Sequence, residues 1–290
     1  VSNIVDDVLV DFKSNIMTST NKMKQLSLKL KKLIKRVIWT IVLQIKESDF
    51  EVVASELEFG KDKKVNAIEI ELENGQKVLL SGKIDRVDIA KTEEGKYIRI
   101  IDYKSYSKEM KLFNVYSGLE VQLITYMDAV DELEAMPGGI LYLKLDDPMI
   151  KTSKNIGGEE IEEQIRKSLR MNGMIVANTR LIKAMDTGMT SESNNLNLKV
   201  SKEKYTGKTY VPTEEEFEKL RFHVRKTLRS LCEEILSGKI KNQPVKCKGK
   251  TPCEYCDYKV ICQFDKKLGN DFKTLHEMKK EEIWEQLKLE

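Results

Sequence analysis

Two short segments, Gly82-Lys83-Ile84-Asp85-Arg86-Val87-Asp88 and Ile98-Arg99-Ile100-Ile101-Asp102-Tyr103-Lys104-Ser105, constrain this chain more than any other part of it. Each is rich in β-branched residues and reads as a strand, and Glu93-Glu94-Gly95-Lys96 between them supplies the turn of a hairpin. Successive side chains on a strand leave opposite faces, so Asp102 and Lys104 share one face while Ile101 and Tyr103 take the other. Ile98 and Ile100 precede Asp102 on its own face, so the carboxylate closes an apolar row. Gly82, three residues ahead of Asp85, marks a place where backbone or a ligand comes close.

Two aspartates from adjacent strands suit a hard divalent cation such as Mg2+, which takes carboxylate oxygens and leaves positions for a phosphate and a water. Asp85 and Asp102 are the expected ligands. Lys104 is placed to orient the attacking water and to offset charge on the phosphoryl oxygens. A bare Asp-x-Lys is also compatible with a solvated charge pair on a strand surface.

The motifs Gly82 to Arg86 (G-x-x-D-R) and Asp102 to Ser105 (D-Y-K-S), followed by Gln122-Leu-Ile-Thr-Tyr126, stand in one order. In that order they resemble the RecB-like branch of the PD-(D/E)XK nucleases. Gln122 and Tyr126 are one helical turn apart and share a face; in the family that face lies on the catalytic lysine side and helps place DNA. The resemblance implies an α/β, restriction-endonuclease-like core with a mixed central sheet flanked by helices. It implies Mg2+-dependent hydrolysis of DNA phosphodiesters, with Asp85, Asp102 and the main-chain carbonyl of Tyr103 on the metal and Lys104, Gln122 and Tyr126 completing the catalytic set. Glu56 is a further candidate acid, set against a surface role alternating with Glu58. Many such enzymes take another ligand from an upstream helix, often a histidine, whereas no histidine here precedes His223. His223 and His276 read as packing or surface residues.

Cys253, Cys256 and Cys262 form a second constellation, C-x2-C-x5-C, dense enough to gather a soft metal such as zinc or an iron-sulfur cluster. Disulfides are the competing reading, disfavoured by the odd total of 5 cysteines and by the absence of a signal peptide, which point to a reducing, cytoplasmic compartment. Joined to the nuclease motifs, this triplet resembles the AddB family of bacterial helicase-nuclease proteins, as does the tail around His276 to Trp284. That likeness implies double-strand-break processing as a heterodimer with the helicase subunit AddA. It also implies a [4Fe-4S] cluster whose fourth cysteine lies upstream of the nuclease domain. The chain opens at Val1 rather than Met, and no cysteine precedes Cys232, so it is expected to be an excised fragment lacking that ligand. Cys247 is the nearest substitute and Cys232 reads as core. Two other readings stay open: a stand-alone RecB-like exonuclease with a cluster, and a degenerate, non-catalytic DNA-binding module.

At 40% hydrophobic over 290 residues the chain can bury a sizeable core, and no run is long enough to span a bilayer. A formal charge of +3 is almost neutral for a DNA-binding protein, so local asymmetry carries the signal. Lys239 to Lys250 holds five lysines and no acid, a candidate phosphate-contacting loop. The basic run Lys22 to Arg36 falls on a helix over about 22–47 whose stripe of Leu30, Leu33, Ile34, Val37, Ile38, Ile41 and Ile45 predicts a core face. Period-two segments at 51–59 and 67–80, the latter turning at Asn74-Gly75, precede the motif hairpin. A helix at about 117–133, a strand at 138–145 and a helix at about 158–170 follow it. Residues 171–210 read as a polar insertion with a mobile loop at Ser191 to Asn195. Thr213 then opens a helix, with Glu216 completing a capping box and Gly238 ending it. Its docking face is Phe217, Leu220, Val224, Leu228, Leu231 and Ile235. The expected organisation is a helical lead-in at 1–50, a nuclease core at 51–150, an insertion with helices at 151–240 and a Cys-rich staple and tail at 241–290.

Overall fold

The β-branched runs around Asp85 and Asp102 form the centre of a five-stranded sheet in the computed structural model, which describes residues 2–12, 16–152, 157–202 and 204–289. Residues 13–15, 153–156 and 203, within the lead-in and the insertion, lie outside the described residues. In chain order the helices are α1 (Ser2–Asp11), α2 (Asn21–Lys46), α3 (Leu112–Tyr116), α4 (Gln122–Ala129), α5 (Gly158–Ser168), α6 (Thr179–Met185), α7 (Glu214–Leu236), α8 (Lys259–Cys262) and α9 (Lys280–Leu289). The strands are β1 (Glu51–Phe59), β2 (Ile68–Glu71), β3 (Lys77–Leu80), β4 (Gly82–Thr92), β5 (Gly95–Lys104), β6 (Met136–Lys144), β7 (Asn172–Ile175), β8 (Leu198–Ser201), β9 (Lys204–Gly207), β10 (Val245–Cys247) and β11 (Lys273–Leu275).

The chain forms two interleaved units. The first comprises Val1–Glu58, Lys83–Met110 and Val130–Glu214, and the second Phe59–Gly82, Lys111–Ala129 and Glu215–Glu290. The sheet of the first unit runs β1-β4-β5-β6-β7, antiparallel at β4/β5 and β6/β7 and parallel at β5/β6. This is the mixed sheet expected of the fold class. Ile84, Val87, Ile100, Ile101, Ile140 and Leu141 are fully enclosed in it. The fifth strand escaped the sequence reading because it has only four residues inside a polar stretch. Its Gly173, at φ +154°, is obligatory, since a Cβ there would stand 2.2 Å from the Ile140 carbonyl oxygen of β6.

Several expectations are corrected by packing. The loop at Ser191 to Asn195 is not a loose surface segment: Ser193 and Asn195 are buried, and Asp186 Oδ2 accepts from Ser193 Oγ at 2.6 Å and Asn194 N at 2.6 Å. A hydrogen-bonded polar core has the composition of a loop, which is why periodicity could not find it. On α2 the apolar stripe stays half-buried, Ile38 is exposed, and the enclosed positions are instead Thr40 and Gln44.

In the second unit β2 and β3 form the hairpin expected around Asn74-Gly75. Gly118, at φ +76°, interrupts the helix expected over 117–133, so α4 begins only at Gln122. Phe217, Leu220 and Val224 dock α7 as expected, whereas Leu231 and Ile235 are exposed. His223 stacks on Tyr116 with ring centroids 4.7 Å apart and its Nε2 lies 2.7 Å from the Tyr116 carbonyl oxygen, a packing role.

Candidate active site

Register decides which side chains can meet. Arg86 pairs with Ile101 in the β4/β5 ladder, so one step further Asp85 falls opposite Asp102, on the same face. Lys104 follows two residues on, and the parallel β6 sets Tyr142 beside Asp102 and Lys144 beside Lys104. The first unit therefore brings Asp85, Asp102 and Lys104 to one face.

Asp102 is 3% exposed. Lys104 Nζ lies 2.5 Å from its Oδ2, and this buried oxygen has no other donor among the described residues. Burial pushes the Asp102 carboxyl above the usual carboxylate range, Lys104 opposes the rise without cancelling it, and the nearby Asp85 charge adds to it. Burial also works against the Lys104 ammonium, but the hydrogen bond and charge of Asp102 outweigh it and raise its pKa above the ordinary lysine value. Lys104 is thus a cation at neutral pH, a donor of hydrogen bonds and charge.

The Asp85 carboxylate replaces the missing ladder partner at the end of β5: the Tyr103 N–H donates to its Oδ2 at 2.8 Å. Amide and carbonyl of one strand residue point the same way, so the Tyr103 carbonyl faces this gap too, while the Lys104 carbonyl accepts from Leu145 N on the other side. Two carboxylates, one with a spare buried lone pair, beside a main-chain carbonyl make a hard-oxygen set that suits Mg2+. No third acid joins them: among the described residues no three of the His, Cys, Asp and Glu side chains gather to hold an ion. Glu56 sits on β1 in a left-handed conformation, φ +53°, and its exposed carboxylate pairs with Lys83.

The opposite face of these strands holds a network that sequence reasoning missed. Arg86 Nε and Nη2 donate to the two oxygens of Asp88 at 2.7 and 2.6 Å, and Arg99 Nε donates to Asp88 Oδ2 at 2.8 Å. All three are essentially inaccessible, and Arg99 also lies 4.4 Å above the Phe50 ring. Burial lowers the Arg99 pKa to about 10 in spite of Asp88. Tyr103 lies on this same face, where burial pushes its phenol pKa up and the nearby Arg86 charge opposes the rise. The signal was available: Asp88 and Arg99 are charges at inward positions of apolar strands. Also unforeseen, Lys108 Nζ lies 4.6 Å from the Tyr142 ring centroid, on the side of Asp102.

Gln122 and Tyr126 belong to the second unit, where Gln122 Nε2 donates to the Tyr126 hydroxyl at 2.8 Å. Tyr126 meets Phe59 edge to face, with centroids 5.8 Å apart. Gly82 admits the Phe59 ring: a Cβ there would lie 2.7 Å from Phe59 Cζ. A ring, not a ligand, is what comes close at this glycine.

All five cysteines are free thiols. Cys232 is buried, as expected, while Cys256 and Cys262 are exposed and Cys247 and Cys253 intermediate. Thr251 caps the turn around Cys253 with a capping box, and Asn242 Nδ2 lies 3.2 Å from Cys262 Sγ. The thiols do not converge on a common centre in this arrangement.

The mixed five-stranded sheet, with helices around it, is the fold of a PD-(D/E)XK nuclease. The chain belongs to the PD-(D/E)XK nuclease superfamily, whose family model matches residues 1–263. Nucleases of this superfamily generally depend on a divalent metal. It is similar to proteins named as the B-type subunit of an ATP-dependent helicase/deoxyribonuclease. The one from Acetivibrio thermocellus is 43% identical over 293 residues, covering 98% of this chain and 26% of the relative. That from Clostridium novyi is 43% identical over 298 residues, covering 100% and 26%. The one from Thermoanaerobacter pseudethanolicus is 37% identical over 298 residues, again covering 100% and 26%. The chain spans about a quarter of the length of these curated relatives. No described helix is long and apolar enough to cross a membrane.

Proposed function

We propose that this chain is the nuclease domain of a helicase-nuclease, hydrolysing DNA phosphodiesters exonucleolytically with Mg2+ while a partner of the AddA type unwinds the duplex during break repair in the cytoplasm. The observation that carries the reading is the Asp85–Asp102–Lys104 cluster, in which Lys104 alone meets the buried Asp102 oxygen. Asp85, Asp102 and the Tyr103 carbonyl would hold the metal, which when bound supplies a Lewis acid and an activated water. The Tyr103 N–H fixes one carboxylate. Lys104, held as a cation by Asp102, offsets charge on the phosphoryl oxygens. Gln122 and Tyr126, already joined to each other, would place the strand. The names and identities of the relatives support the substrate.

The decisive experiment is cleavage of radiolabelled linear DNA with Mg2+ by Asp102→Ala and Lys104→Ala. Asp102→Ala should abolish cleavage with circular dichroism unchanged; full activity in that variant removes the assignment. Lys104→Ala should lower turnover by about 10²–10³ while retaining metal binding.

Cys253, Cys256 and Cys262 are further proposed to donate three thiolates to a [4Fe-4S] cluster completed by a ligand beyond this sequence, Cys247 being the local alternative. Their spacing supports it. Iron and acid-labile sulfide analysis of the full-length protein, with Cys256→Ser bleaching the absorbance, tests it, and absence of iron refutes it.

A further inference from the structure

Helix α2 carries Lys22, Lys24, Lys29, Lys31, Lys32, Lys35, Arg36 and Lys46 and not one acidic residue. Its apolar stripe is only half covered, so the helix does more than shield a core. In the first unit Lys32, Lys35, Arg36 and Trp39 line an open groove of about 560 Å3 with Asp147 and Glu162. Both acids are already engaged by Arg36, whose Nη1 lies 2.5 Å from Glu162 Oε2 and whose Nε lies 3.4 Å from Asp147 Oδ1. Lys29, Lys32 and Lys35 are exposed and form no ion pair among the described residues, so the unspent charge of the groove is positive. Trp39 is 39% exposed, with the Arg36 guanidinium 5.3 Å from its ring centroid.

Spacing adds a direction. Lys29, Lys32, Lys35, Arg36 and Trp39 recur at three- and four-residue steps and line one face. Asp147 stands three residues beyond Lys144, the register partner of Lys104. Three extended residues reach about 10 Å and the adjacent strand adds about 4.8 Å, so the groove opens a short run of nucleotides from the catalytic lysine. Free lysines for phosphates beside an exposed aromatic ring are the elements of a single-strand binding track.

We propose that the Lys29–Lys32–Lys35–Trp39 face of α2 binds single-stranded DNA, lysines on phosphates and Trp39 beneath a base, and leads the strand to Asp85, Asp102 and Lys104. The proposal rests on the nuclease reading for its direction and on the groove alone for binding. An apolar protein partner on Ile38 and Val42 is the competing occupant, and charge favours the polyanion.

The test uses a fluorescein-labelled oligothymidylate in EDTA, where no cleavage occurs, followed by anisotropy. Lys32→Glu/Lys35→Glu should weaken binding at least tenfold and reduce the slope of log affinity against log salt by about 2. Trp39→Ala should weaken it about tenfold. In a Trp284→Phe background Trp39 is the remaining tryptophan, and oligothymidylate should quench its emission. Affinities within twofold of the parent and unquenched emission overturn the proposal and leave the face to a protein. An equal loss for duplex DNA overturns the single-strand assignment. If the parent fails to cleave with Mg2+ while the lysine variant still loses binding, the nuclease reading fails and the track stands.

Discussion

Asp102 shows how one buried carboxylate couples chemistry to stability. Its pKa is raised in the folded chain, so the folded state holds the proton more tightly than the unfolded one and stability falls as pH rises from the ordinary carboxylate value of about 3.9 through the raised one. Metal affinity runs the other way, because the ion takes the ionised form. Cleavage should therefore rise with pH through a midpoint above the usual carboxylate range, measured as initial rate at saturating DNA. Asp102→Asn should raise the melting temperature in EDTA at pH 7 and lose that advantage at pH 3.5, read by calorimetry. The Asp and Lys of this site were legible because a strand has an integer period of two: 102 and 104 had to share a face. That Asp85 would take the Tyr103 N–H was not legible, since it depends on where the ladder ends.

At the scale of the element, the buried Arg86–Asp88–Arg99 network sets the rigidity of β4 and β5. Asp88→Ala leaves two enclosed guanidiniums without their anion and should cost about 3–5 kcal/mol in urea unfolding, with the midpoint shifted and the slope unchanged. Thr20, which caps α2 by accepting from Met23 N at 3.2 Å, is a milder case, and Thr20→Ala should cost about 1 kcal/mol by the same measurement. Long periodic elements could be read from the chain: α2, α7 and the β4/β5 hairpin fall within a few residues of expectation. Short ones could not. β7 has too few residues to show a period, and the helix expected over 117–133 was overdrawn because Gly118 within it takes a left-handed conformation.

For the whole molecule, metal and fold are linked by mass action. Mg2+ that binds only the folded chain should raise the melting temperature saturably, by an amount equivalent to about 2.7 kcal/mol at a hundred times its dissociation constant, and Asp102→Ala should erase the response in a thermal-shift titration. The cysteine triplet was legible as a spacing, yet spacing does not say whether thiols meet. The interleaving of the two units was invisible for a related reason, since strand patterns tell what an element is and not which body it joins. That interleaving bears on how the protein is made. A ribosome that has released Glu214 has delivered every residue of the first unit, but the α4 segment of the second still waits for α7, whose Arg221 and Arg225 clasp the buried Asp128 at 2.8 and 2.7 Å. Birth order therefore favours the unit of Asp85 and Asp102 being complete first, and a premature stop shortly after 214 would deprive Asp128 of both its arginines.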